Sequence, residues 1–177
     1  LAYYRWLFGH LELPGERDWS GRWDLMHNAL RGVLPGARVL DLGCNLGLVA
    51  THCLLYGAQH VTGVDIHDDI LEAAHLVAKA AGVEVTLVKG DLNSRDFVDS
   101  LLGQEYDLVL ALSVAHWIED QDQADRILSA APTLLFEGHG PAAEEADYLR
   151  GLGFQTVELV GYSERLRALY RASGAAH

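Results

Sequence analysis

The most regular feature of the chain is an alternation of short apolar runs and amphipathic segments that begins near residue 38. Short apolar runs bounded by turn residues predict buried strands, whereas apolar positions repeated at helical spacing predict helices. The predicted strands are RVLDLG, HVTGVDI, VEVTLVKGD, YDLVLALS and PTLLFEG, and a helical segment follows each of them. Strands that alternate with helices of this length form a parallel sheet with helices on both faces. The pattern therefore predicts a Rossmann-like α/β fold with five parallel strands.

The end of the chain departs from this alternation. The segments FQTVELVG and ERLRALYRA follow one another with only a short turn between them. Two adjacent strands joined by a short connection pair antiparallel, because a parallel pair needs a long crossover. We therefore predict a seven-stranded, mostly parallel sheet that closes with a C-terminal antiparallel hairpin.

Length and composition indicate one core. The chain has 177 residues, of which 50% are hydrophobic, and this is enough for one domain and short for two. We expect a single domain over residues 1–177. Within it, residues 1–36 are expected to form a helical cover or lid, rich in tryptophan, and residues 37–177 the Rossmann-like core.

Charge and cysteine content limit which classes of binding partner and which cellular compartment we expect. Lys and Arg number 13 against 25 Asp and Glu, a formal net charge of −12, which disfavours a nucleic-acid or anionic-membrane surface. The local basic cluster in SERLRALYRA is interpreted as a solvated face. Cys44 and Cys53 form no C-x-x-C pair, and no segment is typical of a signal peptide or membrane span. We expect a cytoplasmic protein without membrane contact; its oligomeric state stays open, a homodimer being one alternative.

The loop after the first parallel strand, DLGCNLG, contains the first sign of a ligand. A buried carboxylate such as Asp41 is costly unless it is paired, and Gly43 and Gly47 weaken the interior of any element. Open parallel sheets bind ligands beyond the carboxyl ends of their strands. A G-x-G-x-x-G dinucleotide fingerprint counted from Gly43 fails at Asn45 and Leu48, and no P-loop lysine follows.

These residues resemble motif I of the class I S-adenosylmethionine-dependent methyltransferases, and the resemblance extends in order over residues of about 38 to 172. In VTGVDI, Asp65 stands 18 residues after Gly47, where the family's acid accepts the ribose hydroxyls. In VKGDL, Asp91 stands where the family places a polar residue near the adenine amino group. The family commonly has glycine at the position of Asn45, and asparagine tolerates the positive φ that such a turn requires.

The resemblance implies S-adenosylmethionine as cofactor and S-adenosylhomocysteine as product. The partner that we expect is a small-molecule methyl acceptor, for the reasons of charge and chain length given below. Arg22 is included in the cofactor site as the partner of the methionine carboxylate. The expected cofactor-binding residues are Arg22, Asp41, Gly43, Cys44, Asn45, Gly47, Asp65, Ile66, Asp91, Leu92 and Ser113.

Two histidines are candidates for the chemistry. His116, in SVAHWIED, and His139, in FEGHG, follow the fourth and fifth predicted strands, and imidazole titrates nearest to working pH. The alternative for His116 is a packing histidine that ends its strand. Together with Glu119 and Glu137 the histidines have the chemistry of a metal site like that of small-RNA 2′-O-methyltransferases, but their spacing does not match that family's motif, and we predict no metal.

Three functions stay open at this point. Methylation of a small molecule is favoured, because no basic tract and no added domain provide a macromolecular surface. Methylation of RNA or of a protein side chain is the second alternative. The third is a non-catalytic binding subunit that retains the methyltransferase fold, and the presence of both Asp41 and Asp65 argues against it.

Overall fold

The computed structural model describes residues 4–8, 11–15 and 17–174, and three short strands and a helix come first. Strands β1 (Tyr4–Phe8), β2 (Leu11–Leu13) and β3 (Arg17–Asp18) form a small sheet that precedes helix α1 (Trp19–Leu30). Among the described residues of the cover, the helical expectation therefore holds only for Trp19–Leu30. Aromatic residues favour strands, and the dipeptide Pro14-Gly15 interrupts any helix, so the local sequence opposes a longer helix.

The elements of the large sheet and its helices follow in strict alternation until the last two strands. In chain order they are β4 (Arg38–Leu42), α2 (Leu48–Leu55), β5 (His60–Asp65), α3 (Asp68–Ala80), β6 (Thr86–Lys89), α4 (Arg95–Leu101), β7 (Leu108–Leu112), a 3₁₀ turn (Ala115–Trp117), α5 (Gln121–Leu128), β8 (Thr133–Glu137), α6 (Ala142–Gly151), β9 (Thr156–Tyr162) and β10 (Ala168–Ser173). In the described part of the chain, no helix is long and apolar enough to cross a bilayer.

The sheet has the order β6-β5-β4-β7-β8-β10-β9. Strands β4 to β8 pair parallel, and β10 pairs antiparallel with both β8 and β9. The prediction of a mostly parallel sheet with a C-terminal antiparallel hairpin is confirmed. The strand order reverses between β4 and β7, and such a switch point leaves a crevice at the carboxyl ends of the strands.

The core consists of two apolar layers, one on each face of the sheet. Helices α1, α2 and α3 cover one face, and α4, α5 and α6 cover the other. Successive residues of a strand point to opposite faces, so Val39 packs in the first layer and Leu40 in the second. Both side chains are fully buried, which explains why the parallel strands appear in the sequence as continuous apolar runs.

Candidate functional site

One cleft of about 1020 Å³ opens at the carboxyl ends of the parallel strands. Its wall is completed by α1 and by the turn between β9 and β10. Ligand pockets commonly measure about 300–1,000 Å³, so this cleft has room for more than one small molecule. All the predicted site residues line it except Gly47.

The loop after β4 is held by three residues in left-handed backbone conformations. The φ angles are 63° at Gly43, 49° at Asn45 and 66° at Gly47. The expectation that asparagine tolerates this conformation is confirmed, and its side-chain oxygen accepts a hydrogen bond from the Leu46 N–H at 2.8 Å. A Cβ on Gly43 would lie 2.9 Å from the Val114 side chain. The loop is thus shaped by backbone geometry, and Gly47 contributes the turn into α2 rather than a wall of the cleft.

Asp41 lies below this loop and is only 2% exposed. Burial raises the pKa of its carboxyl to about 7, with a further contribution from the charge of Asp65, while the Ala50 backbone N–H lowers it. Its Oδ2 atom has no hydrogen-bond partner among the described residues. Buried acceptors of this kind are rare in native structures, so the oxygen points to a donor supplied by a ligand or water.

Asp65 ends β5 with its carboxylate oriented by the backbone. Its Oδ2 accepts a hydrogen bond from the Asn45 N–H at 3.0 Å, and its Oδ1 accepts one from the His67 N–H at 3.2 Å. A carboxylate has about four lone-pair sites, so acceptor capacity is left for a diol. The geometry suits a ribose contact.

The loop after β6 contains a bridging residue that the sequence analysis missed. Asp91 accepts a hydrogen bond from the Asn93 N–H at 2.9 Å. The Asn93 side chain donates to the Trp117 carbonyl at 3.0 Å and accepts from the Glu119 N–H at 2.8 Å. Asn93 therefore joins this loop to the turn after β7. The sequence signal for Asn93 was an amide side chain in the loop that follows a predicted strand.

A buried ion pair connects α1 to the sheet. Glu137, 3% exposed, ends β8, and its Oε2 lies 2.8 Å from Arg22 Nη2. Ser113 Oγ donates to Glu137 Oε1 at 2.5 Å and accepts from Arg167 Nη1 at 2.9 Å. The guanidinium expected to hold the methionine carboxylate is thus already paired with a glutamate, and its cofactor contact stays a prediction. Arg167 was missed because its cluster was interpreted as a solvated face.

His116 and His139 stand beside each other at the cleft. Their ring centroids are 3.8 Å apart, and both side chains are exposed, which disagrees with a packing role for His116. Burial and then the Arg167 charge lower the pKa of His116. Burial, followed by the charges of His116 and Arg167, lowers the pKa of His139. Both rings are therefore neutral near pH 7, the form that accepts a proton.

The four residues considered for a metal do not form one cluster. In residues 4–8, 11–15 and 17–174, no group of three or more His, Cys, Asp or Glu side chains is arranged to hold a metal ion. Glu137 contacts Arg22 and Ser113 instead, and the backbone of Glu119 is tied to Asn93.

Helix α1 closes one side of the cleft through an aromatic contact with α2. Trp19, which lines the cleft, donates from its indole N–H to His52 Nε2 at 2.9 Å. His52 Nδ1 lies 2.8 Å from the Leu48 carbonyl, so the ring is the neutral tautomer that donates there. Burial lowers the pKa of His52. The cover is therefore attached through an uncharged imidazole.

Comparison with known proteins places this arrangement among methyltransferases. Residues 39–138, more than half of the chain, match a family described as a methyltransferase domain. A ubiquinone biosynthesis O-methyltransferase of Xanthomonas campestris pv. campestris (strain B100) is 42% identical over 57 residues, which are 32% of this chain and 23% of that protein. Protein arginine N-methyltransferase 1 of Schizosaccharomyces pombe is 29% identical over 121 residues, 62% of this chain and 34% of that protein.

A solved structure shares the fold. The magnesium protoporphyrin IX methyltransferase of Synechocystis PCC 6803, solved with bound S-adenosylmethionine, superposes with a TM-score of 0.63 at 22% identity and covers 87% of this chain and 77% of that one. The matched segments span between 22% and 34% of the curated relatives' own length.

The residues of the cleft fit S-adenosylmethionine. Asp65 has acceptor capacity for a diol, and Asp41 has a buried oxygen without a partner in the described chain. Asp91 stands one loop further along the same edge. The donor and acceptor chemistry of these three groups matches a cofactor that carries a diol, an ammonium group and an adenine amine.

Proposed function

Since this chain belongs to the methyltransferase domain family, whose cofactor is S-adenosylmethionine, we propose that it transfers the cofactor's methyl group to a small-molecule acceptor. The observation that carries the proposal is the convergence of two sets of groups on one cleft. Asp41, Asp65 and Asp91 lie along the ends of β4, β5 and β6, and the neutral pair His116 and His139 lies beyond β7 and β8.

The first set binds the cofactor. Asp65 accepts hydrogen bonds from the ribose diol while two backbone N–H groups hold its carboxylate in place. Asp91 lies toward the adenine, and the loop around Asn45 follows the methionine end. When bound, the cofactor supplies an electrophilic methyl group on a sulfonium. Holding this group in line with the acceptor provides much of the acceleration in a displacement reaction.

The second set serves the acceptor. A hydroxyl acceptor that received the cofactor's methyl group would have to lose its proton, with S-adenosylhomocysteine as the leaving group. His116, neutral near pH 7, accepts that proton at a ring nitrogen, and His139 contacts its ring. The cleft volume of about 1020 Å³ supports the proposal, because it accommodates the cofactor together with a small acceptor.

Titration calorimetry with S-adenosylmethionine, S-adenosylhomocysteine and NAD tests the cofactor. Losing one partner of a charge-assisted hydrogen bond costs about 2 to 5 kcal/mol, so Asp65→Ala should weaken S-adenosylmethionine binding at least about tenfold. Asp122→Ala, an exposed carboxylate at the start of α5, is the matched control and should bind normally. Equal affinity in wild type and Asp65→Ala, or tighter binding of NAD, contradicts the proposal.

Product detection tests the acceptor class. Release of S-adenosylhomocysteine should depend on small hydroxylated metabolites and should not depend on added peptides or RNA. Turnover only with a peptide or RNA pool would establish the alternative acceptor, and binding of the cofactor without turnover on any pool would establish the non-catalytic alternative.

A further inference from the structure

The turn between β9 and β10 places two arginines at the cleft. In this turn, residues 163–167, the Leu166 N–H donates to the Ser163 carbonyl at 2.8 Å and the Ser163 N–H donates to the Arg167 carbonyl at 2.9 Å. Leu166 has a φ of 58°, so the chain reverses sharply there. As a result, Arg165 and Arg167 both line the cleft that contains the histidines.

Arg165 is available to a ligand. Its side chain is exposed, and no ion pair within the described part of the chain involves it. Two carboxylates on this side of the site pair with other arginines: Glu164 lies 3.3 Å from Arg17, and Glu137 lies 2.8 Å from Arg22. A guanidinium at a cleft, with no protein carboxylate against it, suits a bidentate contact with a carboxylate or phosphate.

Arg165 is also close to the proposed chemistry. Its charge is one of those that lower the pKa of His139, whose ring contacts His116. Trp117 is 70% exposed, and its ring centroid lies 4.8 Å from that of His116. This part of the cleft therefore combines a cation, a proton acceptor and an exposed apolar ring.

Because the whole chain is negatively charged, a positive side chain such as Arg165 at the cleft bears on which ligands can bind. A chain with a formal net charge of −12 repels anions at long range, so an anionic ligand needs a local cation to bind. The acids of the cleft that face the cofactor lie at the ends of β4, β5 and β6, whereas Arg165 and Arg167 lie at the opposite end. These carboxylates and the two arginines therefore lie at different ends of the cleft.

We propose that the methyl acceptor is an anion, whose carboxylate or phosphate is bound by Arg165 while its planar apolar body lies against Trp117. This inference rests on the proposed function and specifies its acceptor. Arg167 has a structural role in this site, because it donates a hydrogen bond to Ser113 at 2.9 Å and lies 3.9 Å from Glu137. Arg165 provides the contact with the ligand.

The experiment measures binding rather than turnover. Protein saturated with S-adenosylhomocysteine is titrated with para-hydroxybenzoate, para-hydroxyphenyl phosphate and the neutral para-hydroxybenzamide. At least one anion should bind about tenfold tighter than the amide, and the preferred anion identifies carboxylate or phosphate as the recognised group. Arg165→Glu should remove this preference, and Arg165→Lys should retain part of it. Arg31→Glu, the same charge change on an exposed arginine beyond α1, should leave it intact.

The outcomes separate this inference from the proposed function. Equal binding of the amide and both anions, absence of binding by either anion, or equal losses in Arg165→Glu and Arg31→Glu overturns the anionic acceptor. Failure of wild-type protein to bind S-adenosylhomocysteine contradicts the proposed function instead. In that case the anion titrations are repeated on the protein alone, where the Arg165 preference is still measured.

Discussion

The two halves of the cleft are built in different ways. In the proposed cofactor half, at the ends of β4 and β5, the key contacts join backbone N–H groups of two loops, at Asn45 and His67, to the Asp65 carboxylate. In the proposed acceptor half, side chains from four separate parts of the chain meet around Glu137, and Arg167 reaches Ser113 across 54 residues. The first half depends on the backbone conformation of two loops, and the second depends on side-chain contacts between separate elements.

This difference predicts where mutations act. Damage to the cofactor half should reduce binding while the fold persists, because a loop conformation is affected. Damage to the acceptor half should reduce stability as well, because its ion pair joins α1 to β8. The predictions that follow test this contrast, and they begin with the largest expected effect.

Removal of the buried carboxylate in the acceptor half should have the largest effect. Glu137→Ala removes the nearer carboxylate from the buried guanidinium of Arg22 and leaves Glu164 at 3.8 Å, and breaking a buried pair costs about 3–5 kcal/mol. The free energy of unfolding, measured by urea denaturation, should fall by about that amount. Glu119→Ala, an exposed carboxylate of the same cleft, should change it by less than about 0.5 kcal/mol. Equal stability of the two variants would show that the ion pair does not hold the cover.

Loss of the His116 ring should affect chemistry without affecting the fold. General bases contribute about a hundredfold or more, so His116→Ala should lower kcat by about that factor. Its affinity for S-adenosylmethionine and its melting temperature should be nearly unchanged, since the ring is exposed. A destabilised variant with full activity per folded molecule would reverse the assignment and favour a packing role.

The pH dependence of wild-type activity gives a second test of His116 as the general base. The pKa of His116 and that of His139 are both lowered from 6.5, so both rings stay neutral down to a pH below that value. The acidic limb of kcat should therefore lie below pH 6.5 and should be lost in His116→Ala. An acidic limb above pH 6.5 would contradict the prediction that the general base is a histidine with a lowered pKa.

The cover should loosen in acid. Burial lowers the pKa of His52 in the folded state, and protonation there would replace an acceptor of the Trp19 N–H with a second donor. Stability from this contact is present above pH 6.5 and is lost as the pH falls through the folded pKa. Urea denaturation at decreasing pH should show a drop that is smaller in Trp19→Phe, which lacks the indole donor. An equal drop in stability in both proteins would mean that groups other than His52 cause it.

The smallest effect is expected at the loop of the cofactor half. Asn45→Gly suits the φ of 49° and removes only the side-chain bond to the Leu46 N–H, so stability should change by less than about 0.5 kcal/mol. Asn45→Val, the contrasting variant, places a β-branched residue in a left-handed conformation and should cost about 1–2 kcal/mol. Cofactor titration should show normal affinity for the glycine variant and weaker affinity for the valine variant. Equal behaviour of both would mean that the loop does not depend on this backbone angle.

Much of the cofactor half could be predicted from the sequence because its information is local. The run DLGCNLG contains both the acid and the turn residues, and Asp65 follows at a spacing that one strand and one helix determine. Parallel strands bring their carboxyl ends to one edge, so residues that follow strands must meet there. Asn93 was within reach of the same argument, although its bridging role depends on contacts that no pattern shows.

The small N-terminal sheet and the acceptor half could not be predicted in this way. Residues 1–36 suggested a helix because tryptophans recur at helical spacing near Trp19, but strand propensity and Pro14-Gly15 prevail before it. Arg167 belongs to a short basic cluster that is typical of a solvated strand. Its true environment depends on the antiparallel insertion of β10 between β8 and β9, which places the turn beside the histidines.

By itself, the sequence determined the α/β alternation, the closing hairpin and the ligand-binding loop, since hydrophobic period and turn chemistry act over a few residues. Only the tertiary structure decided that Arg22 pairs with Glu137, that His116 contacts His139 and that Arg165 stands at the acceptor end of the cleft. The physical reason is that these contacts join elements far apart in the chain. Their distances follow from how helices and strands pack, and charge or aromatic identity alone does not specify a partner.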